Sequence, residues 1–184
     1  MKLEEIQIRE TSVNDFADIM EVEKTAFGYD KEAELVADLL KDPSAEPRLS
    51  LLARYNGKAV GHILFTKVEI EGAAIQPLIH ILAPLAVIPN FQKQGIGGLL
   101  IRKGIQMLKE KGTKLVFVLG HKEYYPRHGF IQNAQGMGYP TPYPYPTPAE
   151  YAEYWMIQAL TDEELAKGRI KCADALFKPE HWRE

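Results

Sequence analysis

The sequence predicts one α/β domain, residues 1–184, and three observations lead there. Its 184 residues are 46% apolar and 26% charged, a globular composition within the usual span of a single domain. A strand, a glycine-rich turn, a helix and a second strand follow one another over residues 79–119, an order that implies a crossover unit. Asn56-Gly57 stands between two apolar runs, the signal of a hairpin whose two turn positions need positive φ. At this length folding buries roughly 70% of the unfolded chain's surface, so no disulfide staple is needed.

Residues 6–9 alternate like a strand. Ser12 with Asp15 three residues on resembles a capping box, and Phe16, Ile19, Met20 and the run 23–27 carry helical spacing. A second helix is expected over residues 31–41, with Leu35, Leu39 and Leu40 on one face, stopping before Pro43. Residues 49–55 and 58–71 are the hairpin strands. Residues 79–88 suit a buried strand, but Pro84 lies inside it. Proline cannot donate to a ladder, so it marks an edge, a bulge or a place where the sheet parts. Residues 95–111 form a helix with an apolar stripe of Ile96, Leu99, Leu100, Met107 and Leu108, ended by Gly112. Residues 114–119 read as a buried strand of parallel type.

The later third is less regular. Residues 123–128 suit a short helix ending at Gly129. Residues 139–148 hold five of the twelve prolines and must run extended, as a surface loop or as an aromatic lid over an acceptor pocket. Residues 151–160 suit a strand, and Thr161-Asp162-Glu163-Glu164 is a second capping box, opening a helix that ends near Gly168.

With 22 basic and 25 acidic residues, a net charge of −3, the chain lacks the basic field of a nucleic-acid binder. Cys172 is the only cysteine, which excludes an internal disulfide and any multi-cysteine metal site and makes it a packing residue. The N-terminus is acidic where a secretory signal would be apolar, and the most apolar stretch, 73–89, is interrupted and short for a membrane span. A cytoplasmic protein with no membrane and no metal is the expectation.

Gln92-Lys93-Gln94-Gly95-Ile96-Gly97-Gly98 joins the proline-bearing strand to the helix. Three glycines in four positions let bare N–H groups approach a ligand, and the helix N-terminus adds unpaired donors and positive potential. Such a turn suits a phosphate or pyrophosphate, although glycine turns without any ligand are common. Neither a nucleoside-triphosphate loop, G-x-x-x-x-G-K-[ST], nor a dinucleotide fingerprint after the first strand is present.

Residues 84–97, Pro-Leu-Ala-Val-Ile-Pro-Asn-Phe-Gln-Lys-Gln-Gly-Ile-Gly, resemble the acetyl-CoA signature of the GNAT superfamily of N-acetyltransferases. Tyr124-Tyr125-Pro126-Arg127-His128-Gly129-Phe130 resembles its second signature, at a fitting distance. The likeness is sharpest over the motif region 79–130, within a core of 1–130, and is greatest to a bacterial group of predicted acetyltransferases. It implies a mixed, mostly antiparallel central sheet flanked by helices, with strands splayed at the acetyl-CoA site. It implies that the backbone of Leu85, Ala86 and Val87 meets the pantetheine arm, that an N–H near Val87 polarises the thioester carbonyl, and that Gln92, Lys93, Gln94, Gly95, Ile96, Gly97 and Gly98 hold the pyrophosphate. Tyr125 matches the position that protonates the departing thiolate, while Tyr124 is read as a packing aromatic. The sequence departs from the family at Leu119-Gly120-His121-Lys122, where an Asn is common, and at His128, where the residue is often apolar or aromatic. The general base stays open among His80, Glu23, His121 and a water chain.

The resulting expectation is an N-acetyltransferase that moves acetyl from acetyl-CoA to a primary amine by direct attack in a ternary complex. The acceptor is a small molecule or peptide, residues 131–184 complete the sheet and the acceptor side, and homodimerisation is left open. The alternative is a non-catalytic acyl-CoA sensor.

Overall fold

The computed structural model describes residues 1–182. These residues form eight strands and three α-helices. In chain order they are β1 (Gln7–Glu10), α1 (Phe16–Phe27), α2 (Lys31–Leu39), β2 (Leu49–Tyr55), β3 (Lys58–Ile70), β4 (Ile79–Val87), α3 (Ile96–Glu110), β5 (Leu115–Leu119), β6 (Ile131–Gln132), β7 (Trp155–Ala159) and β8 (Ile170–Lys171). The main sheet runs β1-β2-β3-β4-β5-β7-β6, and β8 pairs with the far end of β3. Pairing is antiparallel except between β4 and β5, which α3 connects. The mixed, mostly antiparallel α/β sheet expected from the sequence is the one observed.

Local chemistry explains the early elements. Asn56 and Gly57 take φ of 48° and 78°, so the β2–β3 hairpin turns where expected. The Asp15 carboxylate accepts the Ser12 N–H at 2.8 Å, the reciprocal half of a capping box, and two Arg9 hydrogen bonds at 2.6 and 2.8 Å. Those Arg9 contacts, chiefly, hold Asp15 well below the usual carboxylate range. A short 3-10 turn, Val13–Asp15, then leads into α1.

Gly61 and His62 are neighbours on β3 and therefore face opposite sides of the sheet. A Cβ on Gly61 would meet Leu100 and Ile96 of α3. His62 Nδ1 instead lies 2.6 Å from Glu23 Oε1 of α1, both residues fully buried. α3 thus covers one face, and α1 with α2 beside it covers the other. Behind His62 the polar chain continues through Ser50 Oγ at 2.9 Å to the Thr11 hydroxyl, which donates to Ser50 at 2.8 Å. On the far side of β4, Phe117 stacks on Trp155 at 5.1 Å.

Two expectations are corrected, and the two readings of residues 139–148 are separated. Residues 161–164 form no helix; Thr161 Oγ1 accepts only the Glu163 N–H, at 3.1 Å. Asp162, Glu163 and Glu164 are exposed, and so short a segment, with Leu165 its one large apolar side chain, does not offset the cost of helix nucleation. The strand expected over 151–160 begins only at Trp155, because Ala149–Tyr154 takes 3-10 turns after Pro148. Residues 139–148 run without helix or strand, as their prolines require, but none of them reaches the large cleft described below, so they are no lid over it. They are tied to the core instead, where the Trp155 indole donates to the Tyr139 carbonyl at 2.7 Å. Among the described residues no helix is long and apolar enough to cross a membrane.

Gly104 of α3 lies so close to Phe65 of β3 that a Cβ would overlap its ring. Alanine is favoured over glycine by about 1 kcal/mol in a helix interior, whereas overpacking costs about 1–3 kcal/mol. Gly104→Ala is therefore expected to lower stability by up to about 2 kcal/mol in urea unfolding. A gain in stability would show that the helix does not sit this close to the sheet.

Candidate active site

Four residue pairs join β4 to β5, Ile79↔Leu115 to Leu82↔Val118, and the ladder then stops. On the other edge of β4 the register with β3 shifts, so that Ala83 and Pro84 together oppose Leu64. Pro84 has no N–H to give, and it sits in this bulge at the point where β4 leaves β5. Beyond it Leu119 of β5 pairs only with Trp155 of β7. The sheet parts there, and a cleft of about 1110 Å³ opens, lined by residues from both faces.

Leu85 and Val87 line the cleft, whereas the Ala86 side chain is buried and can offer only its backbone. Gln92, Lys93, Gly95, Ile96, Gly97 and Gly98 line it as well. Gln94 does not; its side-chain amide donates to the Asn90 carbonyl at 3.0 Å and closes the loop. The Gln92 amide donates to the Val87 carbonyl at 2.8 Å, pinning the loop to the freed end of β4. Lys93 at φ 60° and Gly95 at φ 94° set the left-handed turns that start α3. Among the described residues, the backbone N–H groups of Gly95, Ile96, Gly97 and Gly98 have no acceptor. Unpaired amides at a helix N-terminus, in a turn of this type, make an anion-binding concavity. Arg102 and Arg127 line the cleft too, with no carboxylate in ion-pair range among the described residues. Arg102 lies outside both signatures, and Arg127, although inside the second, was given no role there.

The two tyrosines diverge. Tyr125 is buried, edge-on to Tyr124 at 5.1 Å and to Phe130 at 5.7 Å. Gly120 makes room for it, because a Cβ there would lie 2.6 Å from the Tyr125 ring. Burial raises the Tyr125 phenol above its ordinary value, so it stays protonated. Tyr124 is half-buried, with its hydroxyl over Gly97, where a Cβ would lie 2.5 Å from it. His128 packs edge-on to Tyr124 at 5.0 Å beside Gly98, and burial pulls its imidazole below its ordinary value.

The opposite wall comes from the start of α2, the residues before it and the C-terminal segment, through Phe27, Tyr29, Glu32, Leu35, Leu176, Glu180 and His181. The sequence reading passed over Glu32, and a signal was there. It shares a helical face with Leu35, Val36 and Leu39, which are buried. Of the three candidate bases, His121 lines the cleft and the others do not. Glu23 is held in the core by His62, and burial lifts its carboxyl above the usual range. Cys172 is buried away from the cleft, and burial pushes its thiol up to about 12.

His80 is a core histidine. Its Nε2–H donates to the Pro47 carbonyl at 2.7 Å, and Thr113 Oγ1 lies 3.1 Å from Nδ1. Burial pushes its pKa down from 6.5 to about 4. Between those values the unfolded chain binds the proton and the fold does not, so stability rises with pH across that window. From this group the protein is expected to lose about 3 kcal/mol as pH falls from 6.5 to 4. His80→Gln keeps a donor for Pro47 and should flatten that part of the acid limb in denaturant titrations. An unchanged slope would refute the assignment.

The Acetyltransferase (GNAT) family model matches residues 16–137. The chain is 58% identical over 165 residues to the uncharacterized N-acetyltransferase YjhQ of Escherichia coli (strain K12), covering 89% of this chain and 90% of that protein. Among solved structures it resembles the GNAT family N-acetyltransferase YhbS from Escherichia coli in complex with CoA, at TM-score 0.82 and 26% identity over 95% of this chain and 93% of that one. It also resembles a GNAT family acetyltransferase from Brucella melitensis in complex with acetyl-CoA, at TM-score 0.73 and 30% identity over 93% and 97%. The broken ladder, the glycine turn and the tyrosine pair are thus set in a chain that belongs to the GNAT family of acetyltransferases.

Proposed function

We propose that the protein acetylates a primary amine by direct attack on acetyl-CoA in a ternary complex. The observation that carries this reading is the set of free N–H groups from Gly95 to Gly98, which face a cleft that Tyr125 also lines. The residues fit the cofactor. Four unpaired amides and the Arg102 and Arg127 guanidiniums suit a polyphosphate, and the gap beside Leu85 and Val87 suits an extended arm. Two of the structural relatives carry CoA or acetyl-CoA. When bound, acetyl-CoA supplies the activated acyl group and the leaving thiolate.

The chain's own groups then divide the work. Backbone donors on the freed edge of β4, near Val87, stabilise charge at the thioester carbonyl oxygen. Tyr125 holds a proton for sulfur. Burial raises its phenol, so it keeps that proton until negative charge develops on a neighbouring atom. His121 lines the cleft, where its imidazole can meet the incoming amine.

Gly97→Ala would drive the Tyr124 hydroxyl off the helix start. It should weaken CoA binding about tenfold, or ~1.4 kcal/mol, in calorimetry of the folded variant. A change below about threefold would remove Gly97 from the cradle.

Tyr125→Phe keeps the ring and its packing. Since general acid catalysis contributes about 10²–10⁴-fold, the single-turnover rate should fall at least about tenfold with cofactor affinity little changed. Tyr124→Phe should leave that rate within about twofold. Full single-turnover activity in Tyr125→Phe would pass the role to Tyr124 or water.

A further inference from the structure

Glu32 stands in the first turn of α2 and lines the cleft on the wall facing away from α3. Its Oε2 is shielded from solvent and has no hydrogen-bond partner. Neighbouring cations are committed elsewhere. Lys31 Nζ donates to the Glu180 carbonyl at 2.7 Å, and Lys24 lies 3.8 Å from Asp30. The Tyr29 phenol is raised by the charge of the Glu32 carboxylate and by a hydrogen bond to it, which leaves Oε2 as the oxygen without a partner. The same carboxylate helps raise Glu23, whose own Oε2 is buried without a partner. A carboxylate oxygen shielded from water and left without a donor is costly unless a ligand supplies one.

Phe27, Leu35 and Leu176 give this wall its apolar surface, and its other polar side chains are Tyr29, Lys31, which is held by Glu180, and the exposed Glu180 with His181 3.7 Å away. One shielded carboxylate among hydrocarbon and aromatic surface matches a ligand with one ammonium on an apolar body. A polyamine or an aminoglycoside would bring further cations to a wall that offers them no second shielded partner.

Resting on the acetyltransferase reading above, we propose that this wall is the acceptor subsite for an apolar or aromatic monoamine, with Glu32 binding its ammonium group. Glu32 is then the residue that selects for charge, and the Phe27, Leu35 and Leu176 surface selects for the body.

The test is calorimetric titration of the CoA-saturated enzyme with 2-phenylethylamine, its neutral analogue 2-phenylethanol, and spermidine. Wild type should bind 2-phenylethylamine at least about tenfold more tightly than either. Glu32→Gln should weaken 2-phenylethylamine binding at least about tenfold while leaving CoA affinity intact, which also reports that the variant folds. Binding within about threefold of wild type in Glu32→Gln would overturn the subsite, as would equal binding of the alcohol or tighter binding of spermidine. Should the variant not fold, the three wild-type titrations decide alone. Thiol release from acetyl-CoA separates the two readings. Glu32-dependent binding of 2-phenylethylamine without thiol release would sink acetyl transfer and keep the subsite. Thiol release with spermidine or a lysine peptide, but no binding of 2-phenylethylamine, would sink the subsite and keep the transfer.

Discussion

A backbone ladder that stops early organises this molecule. β4 and β5 begin as parallel neighbours inside a covered sheet, where each residue pair normally recruits the next. After Leu82↔Val118 the next pairs would involve Ala83 and Pro84, and proline brings no N–H. The same two residues bulge against β3, so the strand bends at the moment it loses its partner. Parting strands in mid-sheet leaves main-chain donors and acceptors with no ladder to join. That is unfavourable for a sheet and useful for a site, since those groups become the lining of the cleft.

The gap also joins the two faces of the sheet. α3 presents its N-terminus from one side and the start of α2 presents Glu32 from the other. Charge is divided accordingly. Unpaired amides with Arg102 and Arg127 serve the α3 side, and a shielded carboxylate serves the opposite wall. A net charge of −3 says nothing of this separation, because it averages over both. The buried chain Glu23–His62–Ser50 ties α1 to β3 and β2 beside that wall, and a buried polar network satisfied along most of its length fixes a helix more rigidly than apolar contact alone.

How much was legible in the sequence depends on whether a feature is made of contiguous residues. The hairpin at Asn56-Gly57, the break at Pro84 and the glycine turn before α3 each rest on local backbone chemistry, and all three stand where their residues foretold. The expected helix after Thr161 failed because a capping signal starts a helix only when an apolar face follows, and there Leu165 is the one large apolar side chain. The strands β6 and β8 are two residues each, too short for any periodicity to register. The acceptor wall was illegible for a different reason. Phe27, Glu32 and Leu176 are brought together by tertiary packing, and only the acidic residue within the Leu35–Val36–Leu39 face hinted at it. Of the three bases suggested by residue type, burial removed His80 and Glu23 from the cleft, a fact that no spacing could convey.

The divergence of Tyr124 and Tyr125 shows how finely such a site can be set by what is missing. Adjacent residues on a short 3-10 turn must point in different directions, so the turn alone cannot send both phenols to the reacting centre. Two glycines decide the outcome. Gly120 leaves the space that the Tyr125 ring fills, and Gly97 leaves the space over the helix start that the Tyr124 hydroxyl enters. Burial raises both phenols, but Tyr125 is buried whereas Tyr124 lies half-buried beside the free amides of α3. A side chain at Gly120 would collide with the Tyr125 ring and one at Gly97 with the Tyr124 hydroxyl, and the two rings already meet edge to face at 5.1 Å. The distinct surroundings of the two tyrosines therefore rest on positions that contribute no side chain of their own.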